Sequence, residues 1–167
     1  MAETVSYIKA HYHPFLFALM STCALAELGL TAFLIEAGNE NHTWPRPRYH
    51  SLLILFLFNA IWTMLFSIAY VLWIVGGAVH LLASIASSII WLLISTILWG
   101  VASGLMRVTR HGTNCPDAPA ISRCRQSLTV EALGWTEFCL SLLTLIATCL
   151  WLHTGKRNYV SDSLQMV

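Results

Sequence analysis

The sequence predicts an all-α membrane protein, folded as an antiparallel four-helix transmembrane bundle. Three observations carry that expectation. The chain is 57% hydrophobic and 10% charged, where soluble domains carry about 25% charged residues. Its mean hydropathy is +0.67. Its apolar residues gather into four runs of the length needed to cross a bilayer, roughly 30 Å of hydrocarbon at about 1.5 Å per helical residue. The charged residues and prolines collect between those runs.

Residues 1–13 form a short polar segment with Tyr7, Lys9 and Tyr12, residue types that anchor a chain at a membrane interface. His11 and His13 have no second ligand pair, so they suit interfacial histidines and no metal site is expected. The first span is expected over Pro14–Ile35, with Pro14 in the tolerated first turn. Ala24-Leu25-Ala26 imitates a signal-peptidase site, but the apolar run continues past it, as in an uncleaved helix. Residues 36–50 are expected as a loop, because Pro45 and Pro47 interrupt any helix there. That loop contains a sequon, Asn41-His42-Thr43, which makes Asn41 a candidate glycosylation site.

The second span is expected over Ser51–Trp73 and the third over His80–Met106, joined by a tight turn around Gly76 and Gly77. Residues 107–126 form a second large loop, with Arg107, Arg110, Arg123 and Arg125 near its ends. The fourth span is expected over Ser127–His153, stopped by Gly155-Lys156-Arg157. The division is therefore a segment 1–13, a transmembrane domain 14–153 and a tail 154–167.

Four spans place the loops 36–50 and 107–126 on one side, so depths can be compared from there. Glu27 and Asn59 each lie about 12 Å deep, Ser95 and Thr96 about 15–17 Å, and Glu137 about 15 Å. Each span thus supplies a polar group to one layer: Glu27, Asn59, Ser95 with Thr96, and Glu137. A central acid costs about 2.5–3.5 kcal/mol on insertion, so Glu27 and Glu137 are expected to face inward. One of the two acids is expected to keep its proton and donate a hydrogen bond, with the other acid a candidate acceptor and Asn59, Ser95 and Thr96 further candidate partners. Glu131 is expected just below the headgroup level of the arginines. Asn59, Thr63, Ser67 and Tyr70 share one helical face, as do Ser84, Ser88, Trp91, Ser95 and Trp99. Gly100 and Gly104 form a G-x-x-x-G that permits close helix approach.

The five cysteines include no Cys-x-x-Cys, which leaves redox and zinc-ribbon motifs unsupported. Cys115 and Cys124 flank one loop and are candidates for a disulfide in an oxidising compartment, with two free thiols as the alternative. A net charge of +1 gives no electrostatic support for nucleic-acid binding.

Ser122-Arg123-Cys124-Arg125-Gln126, followed by Ala132-Leu133-Gly134-Trp135-Thr136-Glu137-Phe138, resembles the last span of fungal four-span MARVEL proteins. Tyr49-His50-Ser51-Leu52, Trp62-Thr63 and Tyr70-Val71-Leu72-Trp73 also look like that family. The resemblance covers most of the chain from Pro14 to His153. It implies a left-handed bundle with both termini cytoplasmic, and a role in membrane apposition, trafficking or lateral organisation. It implies no catalytic residue and no cofactor, and makes Glu27 and Glu137 structural contacts. One feature departs from it. Cytoplasmic termini leave Lys9, Lys156 and Arg157 inside, and Arg46, Arg48, Arg107, Arg110, Arg123 and Arg125 outside, against the positive-inside rule.

Three functions therefore stand open. The first is a non-enzymatic membrane-organising protein in the plasma membrane or an endomembrane, with the bilayer and further copies of itself as partners. The second is a small proton-coupled transporter using Glu27; long loops weigh against it. The third is an integral membrane enzyme on a lipid or isoprenoid-like substrate, with Glu27 and Glu137 as the candidate acid and base.

Overall fold

The chain is all-helical among its described residues. The computed structural model describes the backbone of residues 2–40, 47–76, 81–110, 119 and 122–165, and the side chains of 15–40, 47–72, 87–110, 119, 122–151 and 153. Four helices follow one another: α1 Ala2–Glu40, α2 Pro47–Gly76, α3 Leu81–Thr109 and α4 Arg123–Gln165. Each contains a segment long and apolar enough to span a membrane: Phe15–Glu40, Pro47–Leu72, Ser87–Thr109 and Arg123–Trp151.

The helices outrun their expected limits. Pro14 lies inside α1 rather than in its first turn, because residues 2–13 hold no glycine or other proline to end a helix before it. The loop expected at 36–50 loses both its ends to helix, since α1 runs to Glu40 and Pro47 opens α2; residues 41–46 lie outside the described residues. Proline suits that first position, where its missing N–H would have no helical partner. Gly76 belongs to α2 rather than to the turn. Gly155 does not stop α4, which continues to Gln165. One glycine costs about 1 kcal/mol in a helix, too little to stop a long helix with no proline behind it.

Neighbouring pairs are α1–α2, α2–α3, α3–α4 and α1–α4. At one end, Arg123 at the start of α4 donates to the Ala37 carbonyl near the end of α1 (3.1 Å). There also, the Tyr49 and Ser127 hydroxyls meet at 2.5 Å, joining the starts of α2 and α4. Toward the other end, the Ser21 and Ser67 hydroxyls meet at 2.6 Å, and Thr144 approaches the Met20 sulfur at 3.9 Å. Phe17 of α1 stacks on Tyr70 of α2 at 5.4 Å between centroids and meets Trp91 of α3 at 5.9 Å.

Two apolar clusters result. One contains Leu34, Leu53, Phe56, Trp99, Met106 and Val130. The other contains Phe17, Met20, Tyr70, Trp91 and Leu92. The outward face carries exposed Phe15, Phe33, Phe58, Leu65 and Leu143, the residue types that favour lipid over water.

The closest approach is at Gly134. A Cβ there would lie 2.5 Å from Ser103 Oγ and 2.6 Å from Phe56 Cε1. Gly100 is less pressed, with the Phe138 ring 3.1 Å from a Cβ position, and Gly104 has nothing within 4 Å. The small-residue contact is thus made by Gly100, Ser103 and Gly134, and Gly104 of the G-x-x-x-G takes no part. Gly134→Ala should therefore destabilise the protein by about 1–3 kcal/mol through overpacking. Gly104→Ala and Gly29→Ala, with open space around them, should each stabilise it by about 0.5–1 kcal/mol. Thermal unfolding of the three variants in one detergent checks this ordering.

Candidate functional site

The polar groups of the spans are buried between the two apolar clusters. Glu27, Thr63, Ser67, Ser95, Ser103, Glu137 and Ser141 have no exposed surface, and Asn59 has 1%. Glu27, Asn59, Ser95, Thr96 and Glu137 are all buried. Their hydrogen bonds divide them into two groups.

The hydroxyls other than Ser103 find partners. Trp99 Nε1 donates to Thr63 (3.0 Å), Trp62 Nε1 to Ser95 (3.3 Å) and Tyr70 OH to Ser87 (3.0 Å), all between α2 and α3. Thr96 donates to the carbonyl of Leu92 (2.7 Å) and to Ser141 of α4 (3.1 Å). Thr31, Thr144 and Thr148 donate to carbonyls four residues back on their own helices. A hydroxyl always has that local acceptor in a helix. The stripe Asn59, Thr63, Ser67 and Tyr70 is buried along its whole length, as are Trp91, Ser95 and Trp99 opposite; Ser84 lies outside the residues whose side chains are described.

The carboxylates have no such local partner. Both oxygens of Glu27, both of Glu137 and both polar atoms of Asn59 lack a hydrogen-bond partner, as do Ser103 Oγ and Trp91 Nε1. Ser95 and Thr96, the expected partners of the acids, are bonded elsewhere: Ser95 accepts from Trp62, and Thr96 bonds Ser141. Ionised carboxylates only accept, and the N–H groups in a helix interior are already used.

Nearer the ends of α3 and α4, Glu131 is gripped by two arginines. Arg110 Nη1 stands 2.5 Å from Oε2 and Arg107 Nη1 3.3 Å from Oε1. The side chains of Arg110 and Glu131 are 7% and 4% exposed, that of Arg107 58%. The sequence places Glu131 just below the headgroup level of the arginines and assigns it no partner; its partners are Arg107 near the end of α3 and Arg110 just beyond it. Their spacing, three apart about the end of one helix, is the signal that points to them.

Cys124 is disulfide-bonded, and Cys23, Cys139 and Cys149 are free. Cys115 and Asn41 lie outside the described residues. No group of three metal-ligating His, Cys, Asp or Glu side chains occurs among the described residues. No family model, curated protein or solved structure matches the chain.

The ion pairs at Glu131 differ in burial, and so in what their loss should cost. Arg110→Ala leaves a buried carboxylate with its closer counter-charge removed and should cost about 3 kcal/mol or more. Arg107→Ala removes a solvent-screened partner and should cost no more than about 1 kcal/mol. Denaturant unfolding of both variants against the parent measures the difference.

Proposed function

We propose that this chain is a non-enzymatic, membrane-organising protein of MARVEL type: an antiparallel four-helix bundle that acts by packing laterally with lipids and with further copies of itself. The observation that carries this reading is the enclosure of Glu27 and Glu137, both without exposed surface. A transporter must open its acid to each side of the membrane in turn, and a lipid enzyme must seat its substrate against the acid. Sealed carboxylates support a bundle whose polar chemistry is internal and whose outward face is apolar. The MARVEL-like segments of α2 and α4 supply the particular family and, with it, cytoplasmic termini. The short connection at 41–46 removes one argument against a transporter, so the reading rests on the enclosure of the acids.

Reconstitution separates the three readings. The tagged protein in proteoliposomes should cluster laterally or redistribute labelled lipids at low protein density, with no proton-coupled flux across the vesicle wall. Flux that disappears in Glu27→Gln would establish the transporter instead. Turnover of an added lipid or isoprenoid phosphate, lost in Glu137→Gln, would establish the enzyme.

A further inference from the structure

The contacts between helices bring Glu27, Asn59 and Glu137 to one level. The contacts Arg123–Ala37 and Thr144–Met20 make α1 and α4 run in opposite senses. Glu27 follows Met20 by seven residues, and Glu137 precedes Thr144 by seven. Seven residues are about two helical turns, so both acids return to the contacting faces at a common depth. α2 and α4 run in the same sense, through Tyr49–Ser127 and Phe56–Gly134. The step from Tyr49 to Phe56 matches that from Ser127 to Gly134, and three residues further on lie Asn59 and Glu137. At this level α3 presents Gly100, against which Phe138 packs.

Two carboxylates and a carboxamide therefore share one depth in the protein interior. All three are at least 99% buried, and none of their polar atoms has a partner. A shared proton or a direct amide bond needs these groups in contact. The Asn59 amide, the natural donor to a carboxylate, bonds neither acid. Each unsatisfied polar group costs about 1–3 kcal/mol, and charged ones more. A species that bridges oxygens standing apart removes that cost for all three residues together.

We propose that Glu27, Asn59 and Glu137 form an interior site for one hard divalent cation, with calcium the best fit. One divalent ion balances the charge of two carboxylates. The two carboxylates offer up to four oxygens and Asn59 Oδ1 a fifth. Ser103 Oγ, beside Gly134 and one turn from Glu137, is a further oxygen without a partner. Calcium accepts six to eight oxygens in flexible geometry at about 2.3–2.6 Å. Magnesium demands a near-octahedral set and gives up its water reluctantly, which suits an enclosed interior poorly. The three ligands include no histidine or thiolate, the donors that select zinc or copper. The ion is a structural one, tying α1, α2 and α4 together at mid-depth, and the site does not depend on the membrane-organising reading.

The test uses the full chain purified in detergent, stripped with a chelator and titrated with calcium, magnesium or sodium. Calcium should raise the melting temperature saturably, by about 5 °C or more at a hundredfold excess over its dissociation constant. Terbium, a calcium-sized probe, should show emission sensitised by the nearby Trp99 and Trp62, displaced by calcium. Glu27→Gln and Glu137→Gln should each weaken binding about tenfold or more, and Asn59→Asp, which adds a charged ligand, should tighten it. Cys149→Ala, at an exposed position, should leave it unchanged.

The proposal is overturned if the wild-type chain shows neither the shift nor the emission, if magnesium and sodium reproduce the shift equally, or if both glutamine variants bind calcium like the parent. Glutamine variants that melt higher than a calcium-indifferent parent would show that protons neutralise the pair. If the glutamine variants do not fold, Asn59→Asp decides: unchanged calcium affinity overturns the site.

Discussion

Three helices close on Gly134. Phe56 of α2 and Ser103 of α3 occupy the space that any side chain at this position would need, so the depth of α4 against its neighbours is set by what Gly134 lacks. The consequences run along α4 in both directions. One turn toward its start, Glu131 arrives between Arg107 and Arg110 of α3. Two turns away, Ser127 meets the Tyr49 hydroxyl. One turn the other way, Glu137 reaches the level of Asn59 and Glu27. A slide of α4 by one turn would strand Glu131 and its arginines, and leave a phenylalanine ring against a backbone that has a Cβ. Packing and electrostatics thus require the same register.

Polar side chains in a bilayer-spanning segment must be satisfied from within the protein, and the residue types here do so unequally. Serine and threonine each have a private solution, donation to the carbonyl one turn back, and buried Thr31, Thr96, Thr144 and Thr148 use it. The N–H groups of Trp62 and Trp99 take hydroxyl oxygens across the α2–α3 interface. A carboxylate has no local donor in a helix, so its partner must come from another helix or from a bound species. Glu131 has the first: a buried arginine, well placed. Glu27 and Glu137 have neither arginine nor hydroxyl. The same helix thus carries one acid that is neutralised by the fold and one, six residues on, that is not.

Much of the fold was legible because hydropathy and helical period are local properties. Four spans follow from the apolar runs. The buried stripes of α2 and α3 follow from residues recurring at helical spacing, and the inward facing of Glu27 and Glu137 follows from the cost of showing an acid to lipid. Helix ends were less legible. Pro47 and Gly155 are breakers by residue type, but a proline is at home in a first turn and one glycine is too cheap to stop a long helix. The contacts between helices were the least legible, because they depend on register. The G-x-x-x-G of α3 marks a close approach, yet the residue that needs the space is Gly134 on α4, and the partner of Gly100 is a phenylalanine. The partners of Glu131, Arg107 and Arg110, lie more than twenty residues away in sequence, so no local pattern names them.

The same contacts bear on orientation. Counted as residues, six arginines on the side of the α1–α2 and α3–α4 connections oppose cytoplasmic termini. Counted by what they touch, they are not equivalent. Arg110 is buried against Glu131, Arg107 reaches the same carboxylate from the surface, and Arg123 holds a carbonyl at the end of α1, where a cation suits the negative end of the helix dipole. These three are parts of the fold at that end of the helices. The orientation rule counts lysines and arginines whether or not an acid pairs with them, so the departure stands, while the fold gives three of the six arginines a second task in holding that end of the helices together.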